Sequence, residues 1–329
     1  MVDVAAAADP IPVILAAPEF KETVRWFAEN PAAERSLVSP DTQALLFALV
    51  RNLKPAHVFE IGTFRCGSTE AICRALHANG IGTLHTVDPF GAGVVPAILL
   101  KWPNALRRHV HYHLLDSMAF YMRMATVGIV ADLIFIDGNH EYEFALFDLQ
   151  AAARRLAPGG FVLLDNVSQP GPFFAAADFM RGNSGWHECG RSLARYRASH
   201  PFDRDRTTIH NTDLLVLRAP PHIVIADRPR TTGQQLFGER RVTGMTLLIS
   251  GRAPAGMLNV QCVLRGFGRT LVEVVGETSI ALDEAAGTVT VHFPTAIALE
   301  GEFQHVTVEP WLAWDGAAAL LLARPPVVF

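Results

Sequence analysis

The sequence is short of charge and of cysteine. Only 18% of its 329 residues are charged, and 28 basic against 32 acidic side chains leave a net charge of −4 at pH 7, with no Lys/Arg run. A phosphate backbone or an anionic membrane surface calls for a basic patch that such a chain lacks. No nucleic acid and no membrane is therefore expected among its partners. The four cysteines, Cys66, Cys73, Cys189 and Cys262, are too few and too scattered for a disulfide framework or a zinc motif, which fits a reducing cytoplasm. Long apolar runs are missing as well: none approaches the ~20 residues of a membrane span. The apolar start, MVDVAAAADPIPVILAAPEF, has no basic residue ahead of its apolar stretch and is interrupted by Asp9, Pro10 and Pro12, so it reads as a packed arm. Internal repeats and low-complexity segments are also absent from the sequence.

What is present is a chain that is 50% hydrophobic and long enough for one domain of roughly 200 residues plus a smaller one. Phe20, Val24 and Phe27 recur at helical spacing before Pro31 and predict a short amphipathic helix within an arm over residues 1–35. Between 36 and 218 strand-like and helical segments alternate. VFEIG is followed by the helical STEAICRALHANG, then LHTVD, HVHYHLL and ADLIFID, then the helix HEYEFALFDLQAAARRL, the turn APGG and the strand FVLLD. This alternation predicts an α/β fold, a doubly wound parallel sheet with helices on both faces, which binds ligands at the carboxyl ends of its strands. Residues 219–236, with Pro220, Pro221 and Pro229, read as a linker. Beyond them, over 237–329, the period becomes two: Leu258, Val260, Cys262 and Leu264 alternate with polar residues, as do Val289, Val291 and Phe293. A smaller C-terminal all-β sandwich follows from that pattern.

Three groups of residues carry chemistry. EIGTFRCGS, residues 60–68, lies between a strand and a helix, where Gly62 and Gly67 allow a tight turn and close approach of a ligand, or simply connect the two elements. Asp88 ends the next strand, placed to accept hydrogen bonds from both hydroxyls of a ribose. Asp116 and Ser117 follow the third strand and either meet an adenine edge or cap a helix. Asp137 in IDGNHEY and Asp165 with Asn166 in LLDNV end successive strands, so two carboxylates and an amide oxygen converge on one rim. Such hard oxygen donors suit Mg²⁺ or a similar ion, although strand-end aspartates also cap helices. His109, His111 and His113 alternate on one predicted strand, which would set them on one face without any further ligand to make a metal site.

With these residues in view, the region from about Pro40 to Arg218 resembles the class I S-adenosylmethionine-dependent methyltransferases. It is most similar to the metal-dependent O-methyltransferases, a group that includes catechol O-methyltransferase and bacterial enzymes that methylate sugar hydroxyls of macrolides. The resemblance implies a Rossmann-like methyltransferase sheet, with Glu60, Gly62, Thr63, Gly67 and Ser68 binding the cofactor, Asp88 the ribose, and Asp116 and Ser117 the adenine. It implies Asp137, Asp165 and Asn166 as ligands of a divalent metal such as magnesium. The catechol enzymes carry a lysine base three residues after the first ligand, where this chain has His140, as the sugar-modifying branch does. That implies His140 as general base and a small-molecule alcohol-type hydroxyl, such as that of a sugar or glycoside, as acceptor. Two other readings stand beside it: an antibiotic-modifying enzyme like the cephalosporin hydroxylases, and a non-catalytic cofactor- or glycan-binding protein. A homo-oligomer is compatible with all three.

Overall fold

The computed structural model describes residues 9–30, 36–183, 185–196, 212–220, 222–236, 239–250, 256–267, 271–282, 287–301, 305–315, 319–322 and 327–328. Residues 1–8 and 31–35 of the expected arm lie outside the described residues, and so do 207–211 of the segment TTIHNTDLLVLR at 207–218, whose sequence predicts a closing strand. The chain divides into two compact units. The first holds residues up to Gly182 and His187–Ala219, and the second holds Asn183–Trp186 and the chain from Pro220 onward.

The first unit begins with helices α1 (Pro10–Ala16), α2 (Pro18–Glu29) and α3 (Pro40–Leu53). Phe20 and Phe27 of α2 turn into the core, as their spacing predicts. Ser39 caps α3, its hydroxyl accepting from the Thr42 amide at 3.1 Å, with Pro40 in the first turn, where its missing N–H costs nothing. Then follow β1 (His57–Ile61), α4 (Gly67–Asn79), β2 (Thr83–Val87), α5 (Val95–Leu99), α6 (Asn104–Arg107), β3 (Val110–His113), α7 (Ser117–Val127), β4 (Ala131–Ile136), α8 (Tyr142–Arg155), β5 (Leu156–Leu164), α9 (Pro170–Gly182), β6 (His187–Cys189) and β7 (Leu215–Arg218). The seven strands form one sheet in the order β3-β2-β1-β4-β5-β7-β6. All pairs from β3 to β5 are parallel, and β7 runs antiparallel to both β5 and β6. The expected turn APGG is absorbed into β5, whose pairing with β4 shifts register between Ala131 and Leu133.

Both faces of the sheet are covered. Val58, Leu133, Phe135, Phe161 and Leu163 join α3 and α4 in one buried cluster, while Phe59 meets Phe120 of α7 edge-to-face at 5.2 Å on the other side. Strand order runs away from β1 in one direction and away from β4 in the other, so the two crossovers leave a crevice above the carboxyl ends of β1 and β4. Open α/β sheets bind ligands at such a switch point.

The second unit comprises β8 (His222–Leu236), β9 (Glu239–Ser250), β10 (Gly256–Phe267), β11 (Leu271–Leu282), β12 (Gly287–Glu300), β13 (His305–Asp315), β14 (Ala319–Leu322) and β15 (Val327–Val328). They make two four-stranded sheets, β11-β10-β13-β15 and β12-β9-β8-β14, antiparallel except for the β14–β8 pair. Leu258, Val260, Cys262 and Leu264 are buried in alternation, and Gly276 of β11 sits so close to Ile297 of β12 that a Cβ there would lie 2.3 Å from the isoleucine side chain. The two sheets therefore pack face to face as a sandwich. The expected linker over 219–236 is corrected here: most of it is strand β8. Its pairing with β9 slips between Asp227 and Arg230, and Pro229, which has no N–H to give to a ladder, sits in that irregularity.

Candidate active site

A cavity of about 880 Å³ opens above the switch point. Of the residues singled out in the sequence, Gly62, Thr63, Gly67, Ser68, Asp88, Asp116, Ser117, Asp137, His140, Asp165 and Asn166 all line it. Glu60 does not. It points from β1 toward α4, fully buried, where its Oε2 accepts from the Thr69 hydroxyl at 2.7 Å. Burial pushes its carboxyl up to about 7, against hydroxyls of Ser68, Thr86 and Thr69 that favour the anion and with Asp137 adding repulsion.

The loop after β1 explains why glycine is needed there. Gly62 has φ +98°, and a Cβ on it would fall 2.1 Å from the Asp137 carbonyl oxygen. Only a bare backbone lets β1 and β4 lie so close at their ends. Phe64 and Cys66 also adopt left-handed backbone, φ 44° and 62°. An aromatic residue rarely accepts that conformation, and here a hydrogen bond from the Phe64 amide to Asp88 Oδ2 at 2.8 Å holds it. Asp88 Oδ1 accepts in turn from the Phe90 amide at 2.7 Å. The carboxylate thus pins the loops after β1 and β2 and keeps one lone pair on each oxygen for a further donor. At the end of β3 Asp116 caps α7, Oδ1 accepting from the Ala119 amide at 2.7 Å.

Across the cavity, Ile136 of β4 pairs with Leu164 of β5, so Asp137 and Asp165 follow in register on neighbouring strands. Asn166 takes the left-handed region at φ 54°, which asparagine tolerates. His140 returns to the same rim with Nε2 3.5 Å from Asp137 Oδ1, too long for a good hydrogen bond. Burial raises the Asp137 carboxyl, and His140 opposes the rise. Two carboxylates and an amide oxygen on one rim, with the anion of Asp137 disfavoured by burial, make a donor set that fits a hard divalent cation.

One buried acidic wall residue escaped the sequence reading. Asp148, 2% exposed, projects from α8 into the cavity; burial pushes its carboxyl up to about 7, opposed by a hydrogen bond with Ser117. Its buried Oδ1 has no hydrogen-bond partner. A signal for it existed: Ala145, Asp148, Leu149 and Ala152 share the buried stripe of the helix, and a charged residue in that phase is out of place on a purely structural helix. Leu37, Phe64, Phe90 and Phe144 line the cavity with exposed side chains and give its mouth an apolar rim. Phe173, Phe174 and Phe179 of α9, aromatics that follow Asn166 closely in sequence, do not line it; Phe179 is buried. The histidines do not form one row either. His109 precedes β3 and meets His77 of α4, whereas His111 and His113 stack on His85 on the other face.

Residues 59–167, from within β1 to just past β5, match the family model of a methyltransferase domain. No curated protein matches the sequence. Among solved structures, the chain is similar to the O-methyltransferase of Bacillus cereus in complex with SAH, at 17% identity over 64% of this chain and 95% of that one, TM-score 0.44. It is similar also to the O-methyltransferase TomG of Streptomyces achromogenes, involved in tomaymycin synthesis and bound to SAM, at 18% identity over 64% and 94%, TM-score 0.43. A third is the SAH-bound methyltransferase PaMTH1 of Podospora anserina, at 16% identity over 61% and 88%, TM-score 0.41.

Proposed function

We propose that this methyltransferase transfers the methyl group of S-adenosylmethionine to a hydroxyl of a small molecule, with a divalent cation, Mg²⁺ or similar, held beside the cofactor. The observation that carries the reading is the opposition, across one cavity, of the Asp88 carboxylate and glycine loop to the Asp137, Asp165, Asn166 and His140 rim. When bound, the cofactor supplies an electrophilic methyl group and the cation supplies a Lewis acid that lowers the acceptor's pKa. The protein does the rest. The loop at Gly62–Ser68 would hold the methionyl end, the free lone pairs of Asp88 would accept from the ribose hydroxyls, and Asp116 with Ser117 would border the adenine. Asp137, Asp165 and Asn166 would hold the cation. His140 Nε2, at the same rim, would take the acceptor proton. Positioning the acceptor oxygen in line with the methyl group contributes much of the rate. The exposed Leu37, Phe64 and Phe144 at the mouth favour an acceptor that carries an apolar face next to its hydroxyl, as a glycoside of an apolar core does.

The test is transfer of labelled methyl to sugars, glycosides and catechols, with and without Mg²⁺. On an accepted substrate, His140→Ala should lose about 10²- to 10⁴-fold of kcat while binding cofactor normally. Asp165→Ala or chelation should abolish turnover. Full activity in His140→Ala would remove the base, and activity that survives both chelation and Asp165→Ala would remove the cation.

A further inference from the structure

A second constellation lies away from this cavity, where the chain's first described residue meets its edge strand. Asp9, His187 and Cys189 each present one ligand atom, and the three atoms lie within 4.8 Å of one another. Local structure explains the convergence. His187 and Cys189 are two apart on β6, so both side chains leave the strand on one face. Asp9 caps α1, its Oδ1 accepting from the Ile11 amide at 2.9 Å, and its Oδ2 accepts from the Gly190 amide at 2.6 Å. The carboxylate is thereby fixed from both sides. Gly190, at φ +73°, makes room for α1: a Cβ there would strike Ile11 at 2.7 Å.

We propose that Asp9, His187 and Cys189 form a binding site for a zinc-class divalent cation, separate from the cavity above the switch point. Sulfur, imidazole nitrogen and carboxylate oxygen are the donors such an ion takes, at about 2.3 Å for sulfur and 2.0–2.2 Å for the others. Donors on a tetrahedron of that size stand roughly 3.3–3.8 Å apart, so closure from separations within 4.8 Å asks for shifts of about 1 Å. A water completes the set. On coordination the thiol gives its proton to solvent and binds as thiolate. The Cys189 sulfur is buried beside the fixed Asp9 carboxylate. The bound ion would tie α1 to the sheet's edge.

The probe is Co²⁺ alone, added to the full-length protein. A thiolate–Co²⁺ charge-transfer band in the near ultraviolet should appear, saturate at one ion per chain, and disappear when Zn²⁺ is added. Cys189→Ala should remove the band, and His187→Ala, at an exposed position that leaves folding intact, should weaken Co²⁺ binding at least about tenfold. Asp137→Asn and Asp165→Asn should leave the band unchanged, because an all-oxygen site gives none. Zn²⁺ in excess should raise the Tm of the parent by about 5 °C and that of His187→Ala by less. No band in the parent, or a band that persists in Cys189→Ala, overturns the site; unchanged Co²⁺ affinity in His187→Ala does so as well.

Discussion

Asp148 shows how much a single side chain can hide. Its helix reads as ordinary amphipathic sequence, yet its carboxyl is shut into the cavity wall and held up at about 7. An acid whose folded pKa is raised adds stability below its unfolded pKa and loses it as pH rises through the folded value. Asp148→Asn, neutral at every pH, should therefore match the parent near pH 3 and exceed it by on the order of 4 kcal/mol near pH 8. Urea unfolding of metal-free protein at both pH values measures this; equal stability at pH 8 would mean that the buried anion is compensated. The strand-end acids, by contrast, were legible. Asp88, Asp137 and Asp165 each follow an apolar run, and a parallel sheet leaves such residues only one place to go. Glu60 stood next to the glycine loop in sequence but one strand phase earlier, and the pleat turned it inward toward Thr69.

At the level of elements, the loop after β1 is the least forgiving part of the structure. Gly62→Ala adds a Cβ 2.1 Å from the Asp137 carbonyl at a backbone conformation that alanine avoids. The two costs together should lower stability by about 2–4 kcal/mol and separate the ends of β1 and β4. Thermal unfolding would show this, and a Tm within about 2 °C of the parent would not be compatible with the packing described. The helices and parallel strands were readable because their periods and caps are local, Ser39 with Pro40 at α3 and Asp116 at α7 among them. What was not readable is equally specific. Prolines mark breaks in a one-dimensional reading, but Pro229 rides on a register slip inside β8. His109 falls one residue before β3 begins, and that single residue takes it out of the row that the alternation of HVHYH implies.

Across the whole first unit, buried titratable groups of opposite kinds offset one another. Glu60 and Asp148 are raised to about 7, so their contribution is full below about 4 and falls as pH rises through 7. His85 and His113 are lowered to about 4 by burial, with His111 and His57 beside His85, and Arg123 and His111 beside His113. Their contribution is full above 6.5 and falls as pH drops through 4. Between about pH 4.5 and 6.5 the two slopes have opposite sign, so the unfolding free energy of metal-free protein should fall only gently there as pH rises, with Asp137, also raised by burial, tipping the balance toward the acids. Chemical denaturation across that range would reveal a steep slope if either pair were absent from the balance, and His85→Phe should steepen the fall of stability as pH rises.

The reversed strand β7 also decides when this sheet can be finished. Among the described residues β6 pairs only with β7, and β5 waits for the same four residues to cover its far edge. During synthesis, Phe161–Leu164 of β5 therefore stand as an open, apolar edge until the chain has emerged through Arg218, some fifty residues later in order of manufacture. An uncovered edge of that kind recruits other chains. A polypeptide stopped at residue 205 should accordingly sediment as aggregate, while one carried through Ala219 should stay dispersed; the interval between those two lengths is where a ribosome-bound chaperone would be needed most.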